Sequence, residues 1–171
     1  MEAKSRTTSM LSFSIGVILL LIPDQITKLA ARHMLKGNNA VPLIPGVFEL
    51  QYLENRGSAF GMLQGQKSFF IFMAVLMLVI IPYVYYKIPL TKRFWYLRVI
   101  AALFLSGAVG NAVDRILHGY VIDFFYFSLI DFPIFNIADI YVTVSTFLLI
   151  ILILFYYKDE DFAQIHIFSK S

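Results

Sequence analysis

The sequence predicts an all-α membrane protein, a four-transmembrane-helix bundle with a small β-containing extracytoplasmic element. Three observations lead there. Of the 171 residues, 59% are hydrophobic and only 15% charged, against about 45–50% and about 25% in soluble domains. A water-soluble fold of this length has too little interior to hide that much apolar surface. Two runs, 69–86 (FFIFMAVLMLVIIPYVYY) and 140–157 (IYVTVSTFLLIILILFYY), carry no charge and are long enough to cross a hydrocarbon core of roughly 30 Å. Finally, the turn formers Gly37, Asn38, Asn39, Pro42, Pro45 and Gly46 lead into VFELQYL at 47–53, a strand-forming stretch outside every apolar run.

In chain order, the first span is expected at 10–30. Its apolar run meets Asp24 and Lys28 before it is long enough to cross comfortably. Lys4 and Arg6 ahead of it resemble a secretory signal, but no small-residue cleavage site follows, so the span is expected to stay uncleaved. The segment 31–67 then leaves the membrane, and its strand edges need protein cover because open edges are not stable in lipid. Span two is 69–86, where Pro82 is tolerated and Tyr83, Tyr85 and Tyr86 suit an interfacial belt. Span three, 94–113 (FWYLRVIAALFLSGAVGNAV), holds Arg98 close enough to one end for its head to reach the surface. Residues 114–139 form the second outer segment, and span four is 140–157, closing on Tyr156 and Tyr157. No internal repeat or low-complexity tract divides the chain, so 1–171 is expected to be one membrane-embedded domain.

Basic residues set the orientation. The link KIPLTKR at 87–93 carries Lys87, Lys92 and Arg93, and the N-terminus carries Lys4 and Arg6. Both are expected in the cytoplasm, although Arg32, Lys36, Arg56 and Lys67 reduce the contrast. Four spans return the C-terminus, with Lys158 and Lys170, to the same side. The formal charge of +3 forms no basic stripe of the kind a nucleic-acid surface needs, so no nucleic-acid partner is expected.

The acids are unusually placed. Asp24 closes span one, Asp114 closes span three, Asp123 follows it, and Asp139 opens span four. All four lie near one face of the membrane, where charged groups are costly and usually face a protein interior or cavity. Structural roles compete at three of them. Asp139 suits an N-terminal helix cap, Asp24 and Lys28 are an i,i+4 pair, and Asp114 beside Arg115 suits an internal ion pair. The chemistry on offer is narrow. There is no cysteine, which removes disulfides, thiol catalysis and thiolate metal sites. His33, His118 and His166 form no HExxH or clustered set, and no GxSxG elbow exists. Carboxylates remain: two facing aspartates can share one proton, one drawing a proton from water while the other hydrogen-bonds a scissile carbonyl. Spacing alone leaves open which two of the four form the pair. A non-catalytic binding or ion-translocating protein is the competing class, but spans two and four lack the polar groups an ion path through the membrane would need.

Five strings in order, DQITK (24–28), NRGSAF (55–60), SGAVGNAVDR (106–115), VIDF (121–124) and FNIAD (135–139), resemble the bacterial lipoprotein signal peptidases, or signal peptidase II, over nearly the whole chain. The resemblance implies that Asp123 and Asp139 are the catalytic dyad. It implies that Asn111 and Arg115 hold the substrate backbone and that Asn55 and Asn136 also line the site. Asp24, Lys28, Gly57 and Asp114 then serve structure near it. Gly57 and Ala59 would keep the outer segment thin over the site, with Phe60 as a cover or a packed aromatic. The substrate implied is a diacylglyceryl-modified prolipoprotein cut immediately before its lipidated cysteine, with membrane lipid around it. The enzyme would be a multi-pass monomer of the bacterial cytoplasmic membrane, using no cofactor and no metal. The chain departs from the family at Ser106–Gly107, where two glycines are usual. Its linker from Phe125 to Ile134 is also short, implying a smaller rim over the cleft.

Overall fold

The computed structural model describes residues 2–57 and 65–165; Ala59, Phe60 and His166 lie outside these. Four of its helices are long and apolar enough to cross a membrane: α1 (Glu2–Leu35), α2 (Lys67–Lys87), α3 (Trp95–His118) and α4 (Ile137–Phe155). A fifth, short helix, α5 (Asp159–Phe162), follows. The strands are β1 (Val41–Ile44), β2 (Phe48–Asn55) and β3 (Val121–Tyr126), joined antiparallel in the order β1-β2-β3.

The helices overrun the apolar windows. At about 1.5 Å per residue, the 34 residues of α1 exceed the hydrocarbon thickness, and its polar last turns pack beneath the sheet. Helix α3 continues through Asp114 and Arg115 to His118, and α4 begins at Ile137, so Asp139 lies in its first turn. The helices therefore take in the first residues of 31–67 and both ends of 114–139. The hairpin β1–β2 lies where turn formers and strand formers meet, and Gly46 takes a φ of +71° at its turn, a conformation that costs glycine little. The third strand, VIDFFY, goes beyond the expected outer sheet.

Helix α3 is the hub, packing against α1, α2 and α4. Its small residues permit this. A Cβ at Gly107 would lie 2.5 Å from the Ala138 carbonyl oxygen, and one at Gly110 would lie 2.5 Å from Asp24 Oδ2. Ser106, in place of a glycine, is fully buried and donates to the Ala102 carbonyl at 2.7 Å. Its hydroxyl is thereby satisfied within the helix. Two tyrosines expected at the interface turn inward instead. Tyr85 stacks on Phe13 and meets Ser9 Oγ at 3.0 Å, while Tyr157 stacks on Phe94 and donates to the Arg93 carbonyl at 3.0 Å. A buried phenol is stable where its hydroxyl finds a partner. Tyr83 and Tyr86 remain exposed. Arg93 grips Asp161 of α5 through Nε and Nη2 at 3.1 and 2.7 Å, tying the C-terminal turn to the link before α3.

Candidate active site

The sheet and three helix ends converge on one buried polar cluster. Helix α3 stops at Gly119, which adopts a φ of +83° and donates its N–H to the Arg115 carbonyl. The chain then turns straight into β3. There Asp123 pairs across from Leu53, and Asn55 pairs with Val121, so Asp123 and Asn55 are diagonal neighbours on one face. Asn55 Nδ2 donates to Asp123 Oδ2 at 2.8 Å, while Asn55 Oδ1 accepts the Gly57 N–H at 2.9 Å.

Asp139 enters from the other side. Asn136 caps α4: its Oδ1 accepts the Asp139 N–H at 3.0 Å, and Asp139 Oδ2 accepts the Asn136 N–H at 3.1 Å. This reciprocal capping box satisfies two otherwise orphaned donors. Asp139 is thus the third helical residue rather than the cap itself. Asn136 is fully buried, and its Nδ2 donates to Asp123 Oδ1 at 2.6 Å and to Asn111 Oδ1 at 3.2 Å. Asn111 Nδ2 in turn donates to Asp139 Oδ1 at 2.8 Å. Each carboxylate oxygen of Asp123 and Asp139 therefore has an N–H donor, and Asn136 bridges the two residues.

Behind them lies a second layer. Lys28 is nearly inaccessible and reaches Asp24 Oδ2 at 3.0 Å, Asp114 Oδ2 at 3.2 Å and Asn111 Oδ1 at 3.0 Å. Its three ammonium protons match these three acceptors. Asp24 Oδ1 accepts the Ala138 N–H at 2.9 Å, and Asp114 Oδ2 accepts the Ile122 N–H at 3.1 Å. These acids pin the start of α4 and the start of β3, the two backbones that carry Asp139 and Asp123. The expected Asp114–Arg115 pair does not form. Adjacent helical residues point away from each other, and Asp114 turns to Lys28. Arg115 donates instead to the Gly57 carbonyl at 2.7 Å, and its guanidinium lies 4.2 Å from the centre of the Phe70 ring.

Asp123 and Asp139 line one cavity of about 810 Å³, together with Asn55, Asn111 and Arg115. Asp24, Lys28, Asp114 and Asn136 do not line it. Apolar lining comes from Phe132, Pro133 and Ile134 of the linker, from Phe135 after it, and from Ile140 and Val144 of α4. Ile140 and Val144 are also exposed, so this apolar part of the lining is open at the surface of α4. Burial and the neighbouring Asp139 charge push the Asp123 carboxyl up to about 7. Away from this cluster, Ser106 and Ser145 are buried too, each bonded to a carbonyl of its own helix.

The sequence did not show that Asn136 joins the two acids or that Lys28 serves a second helix. The first had a signal, since Asn-x-x-Asp ahead of an apolar run has the spacing of a capping box. The second had none, because Lys28 and Asn111 are far apart in the chain.

Comparison with known proteins agrees with this architecture. The family model for signal peptidase (SPase) II matches residues 16–155. The lipoprotein signal peptidase of Streptococcus thermophilus is 39% identical over 147 residues, covering 86% of this chain and 93% of its own. That of Streptococcus pyogenes serotype M6 is 37% identical over 152 residues, covering 89% and 97%. A bacterial membrane enzyme solved by the in meso method at 2.3 Å resolution superposes with a TM-score of 0.74 at 31% identity, covering 84% of this chain and 87% of that one. A second, at 1.9 Å resolution, gives a TM-score of 0.72 at 30% identity, covering 85% and 94%. With four spans, an outer sheet and matches of this extent, the chain belongs to the signal peptidase II family, the aspartic-type lipoprotein signal peptidases of the bacterial membrane.

Proposed function

We propose that Asp123 and Asp139 form the catalytic dyad, cutting a prolipoprotein immediately before its diacylglyceryl-modified cysteine. The observation that carries this is the pairing of two carboxylates, tethered through one buried asparagine, at a single cavity lined by polar and apolar side chains. The acyl chains would lie against Ile140 and Val144 while the peptide bond reaches the acids.

The dyad holds one proton, because two neighbouring carboxylates in a dry site do not both ionise cheaply. Asp123 carries it near neutral pH and donates a hydrogen bond to the scissile carbonyl oxygen. Asp139 takes a proton from water, whose oxygen attacks the carbonyl carbon. The tetrahedral intermediate collapses as its C–N bond breaks and Asp139 passes the proton taken from water to the leaving amine, with no covalent enzyme intermediate. Asn136 and Asn111 act as positioning residues in this reading, since their hydrogen bonds are directed at the acids. Asn55 and Arg115 keep unused N–H groups at the cavity and are the better candidates for the substrate backbone. Arg115 would place them while holding the Gly57 carbonyl.

The pH profile tests the proposal. The folded-state pKa of Asp123 lies above the ordinary carboxylate value, so the folded protein keeps this proton to higher pH than the unfolded chain does. The stability contributed is complete below about 4 and is lost as pH rises through about 7. Activity should follow the same proton. The kcat/KM for a diacylglyceryl-modified precursor should fall on the alkaline side with an apparent pKa near 7 belonging to the dyad as a unit. A profile flat to about pH 9 would exclude a protonated Asp123 as the acid.

The proposed orientation puts both termini in the cytoplasm, the active site near the extracytoplasmic face, and a monomer in the membrane. Reporter fusions after Lys67 and after Lys92 should then report opposite sides. The same side for both would overturn the topology.

A further inference from the structure

At the end of the bundle opposite the carboxylates, a second cavity of about 960 Å³ lies between the start of α1, the end of α2 and the start of α3. Ser5, Thr8, Ser9 and Ser12 occupy i, i+3, i+4 and i+7 of α1, one face of a helix, and all four line this cavity. Two guanidinium groups join them, Arg6 and Arg98, and no carboxylate is among the described lining residues. Arg6 is held in place by the Tyr86 carbonyl and lies 5.3 Å from the centre of the Tyr86 ring. Among the described residues Arg98 makes only two bonds, 3.4 Å each, to the carbonyls of Pro89 and Thr91. Among the described residues no carboxylate is within 4 Å of it.

The depth of this cavity also matters. Trp95 lines it and is exposed, as are Tyr96 beside it and Leu11 and Ile15 just below on α1. Exposed aromatics followed by exposed aliphatics mark the boundary between headgroups and hydrocarbon. We propose that this cavity binds the headgroup of an anionic phospholipid. Its phosphodiester sits between Arg6 and Arg98, and an uncharged, hydroxyl-bearing headgroup meets the Ser/Thr stripe. Arginine forks match phosphate oxygens, and basic pockets between spanning helices suit anionic lipids. A choline or ethanolamine headgroup would bring its own cation against two guanidinium groups and is disfavoured. The acyl chains would run down Leu11 and Ile15, which favours a lipid over a free anion. None of these residues belongs to the dyad or its supports, so the site stands independently of the proposed reaction.

Trp95 is the only tryptophan in the chain and reports on the cavity directly. The full-length protein is reconstituted in phosphatidylcholine vesicles. A minor fraction of lipid, either phosphatidylglycerol or phosphatidylcholine, is brominated high on its chains. Phosphatidylglycerol should quench Trp95 several-fold more effectively at equal mole fraction. R98Q should reduce that advantage about fivefold, the effect of one basic group near anionic lipid, while precursor cleavage in the same vesicles is unchanged. S12V, which keeps every charge, should reduce it less and supplies the test if R98Q does not fold. Equal quenching by the two lipids, or an advantage that survives both substitutions, overturns the proposal. Relief of quenching by millimolar inorganic phosphate would mark a soluble-anion site and overturn it equally.

Discussion

Asp123→Asn and Asp139→Asn are each expected to remove precursor cleavage, a loss of about 10²–10⁴-fold or to background, while the protein stays folded and inserted. Asparagine keeps the size of the side chain and one acceptor, so one of the two donors is still met at each position, Asn136 or Asn55 at 123 and Asn111 or the Asn136 N–H at 139. What is lost is the capacity to exchange a proton. Because the two acids act as a unit, either substitution should cost nearly the full effect. Purified variants would be compared for thermal unfolding, for crosslinking to a lipidated precursor and for single-turnover cleavage. Asp24→Asn is the contrasting variant. It weakens the contacts to Lys28 and to the Ala138 N–H, and some activity should survive wherever enough protein folds. Substantial turnover by either dyad variant would sink the assignment, and neither Asp24 nor Asp114 lines the cavity to replace it.

Lys28→Met should act through folding instead. The ammonium sits 3.0 Å and 3.2 Å from two carboxylates that are themselves inaccessible. Removing one partner of a buried ionic set leaves charge uncompensated, at a cost of about 3–5 kcal/mol. The yield of folded protein and its unfolding temperature in detergent should both drop. The fraction that folds should also be slow, because Asn111 Oδ1 loses the shorter of its two donors, keeping only Asn136 Nδ2, and the direction of its Nδ2 toward Asp139 is less firmly fixed. Adding Asp24→Asn and Asp114→Asn to Lys28→Met should restore part of the stability by removing the unpaired charges. A Lys28→Met protein as stable as the parent would show that the triad is not buried as a charged set.

Spans two and four were legible because a charge-free run of this length matches the hydrocarbon thickness and is rarely kept in water, and spans one and three because their few charges lie toward the ends of apolar runs. Their ends were less so, since α1 and α3 continue as polar helices after leaving the apolar window. The strand β3 was not legible. VIDFFY is buried on both faces at Val121, Ile122, Asp123 and Phe124, so it lacks the alternation that marks a half-exposed strand. The four acids were legible as a group near one membrane face, but their division was not. Only the ordered motifs separated Asp123 and Asp139 from Asp24 and Asp114. The supporting roles come from contacts between distant residues: Asp114 looks like a partner for its neighbour Arg115 until the helix turns it toward Lys28.

The way β3 carries Asp123 limits which lengths of chain can function. Side chains alternate across a strand, so a shift of one residue exchanges its faces. Asp123 points into the cleft, while the next residue, Phe124, packs with Ala31, Leu35, Tyr120 and Ile122. One residue deleted between Gly119 and Asp123 would offer the phenyl ring to the substrate and drive the acid into that apolar cluster. The linker from Phe125 to Ile134 has no such parity, because Asp139 is set afresh by the capping box at Asn136. Natural variation in length should therefore collect after β3, where the rim over the cleft can grow or shrink, and be absent just before it.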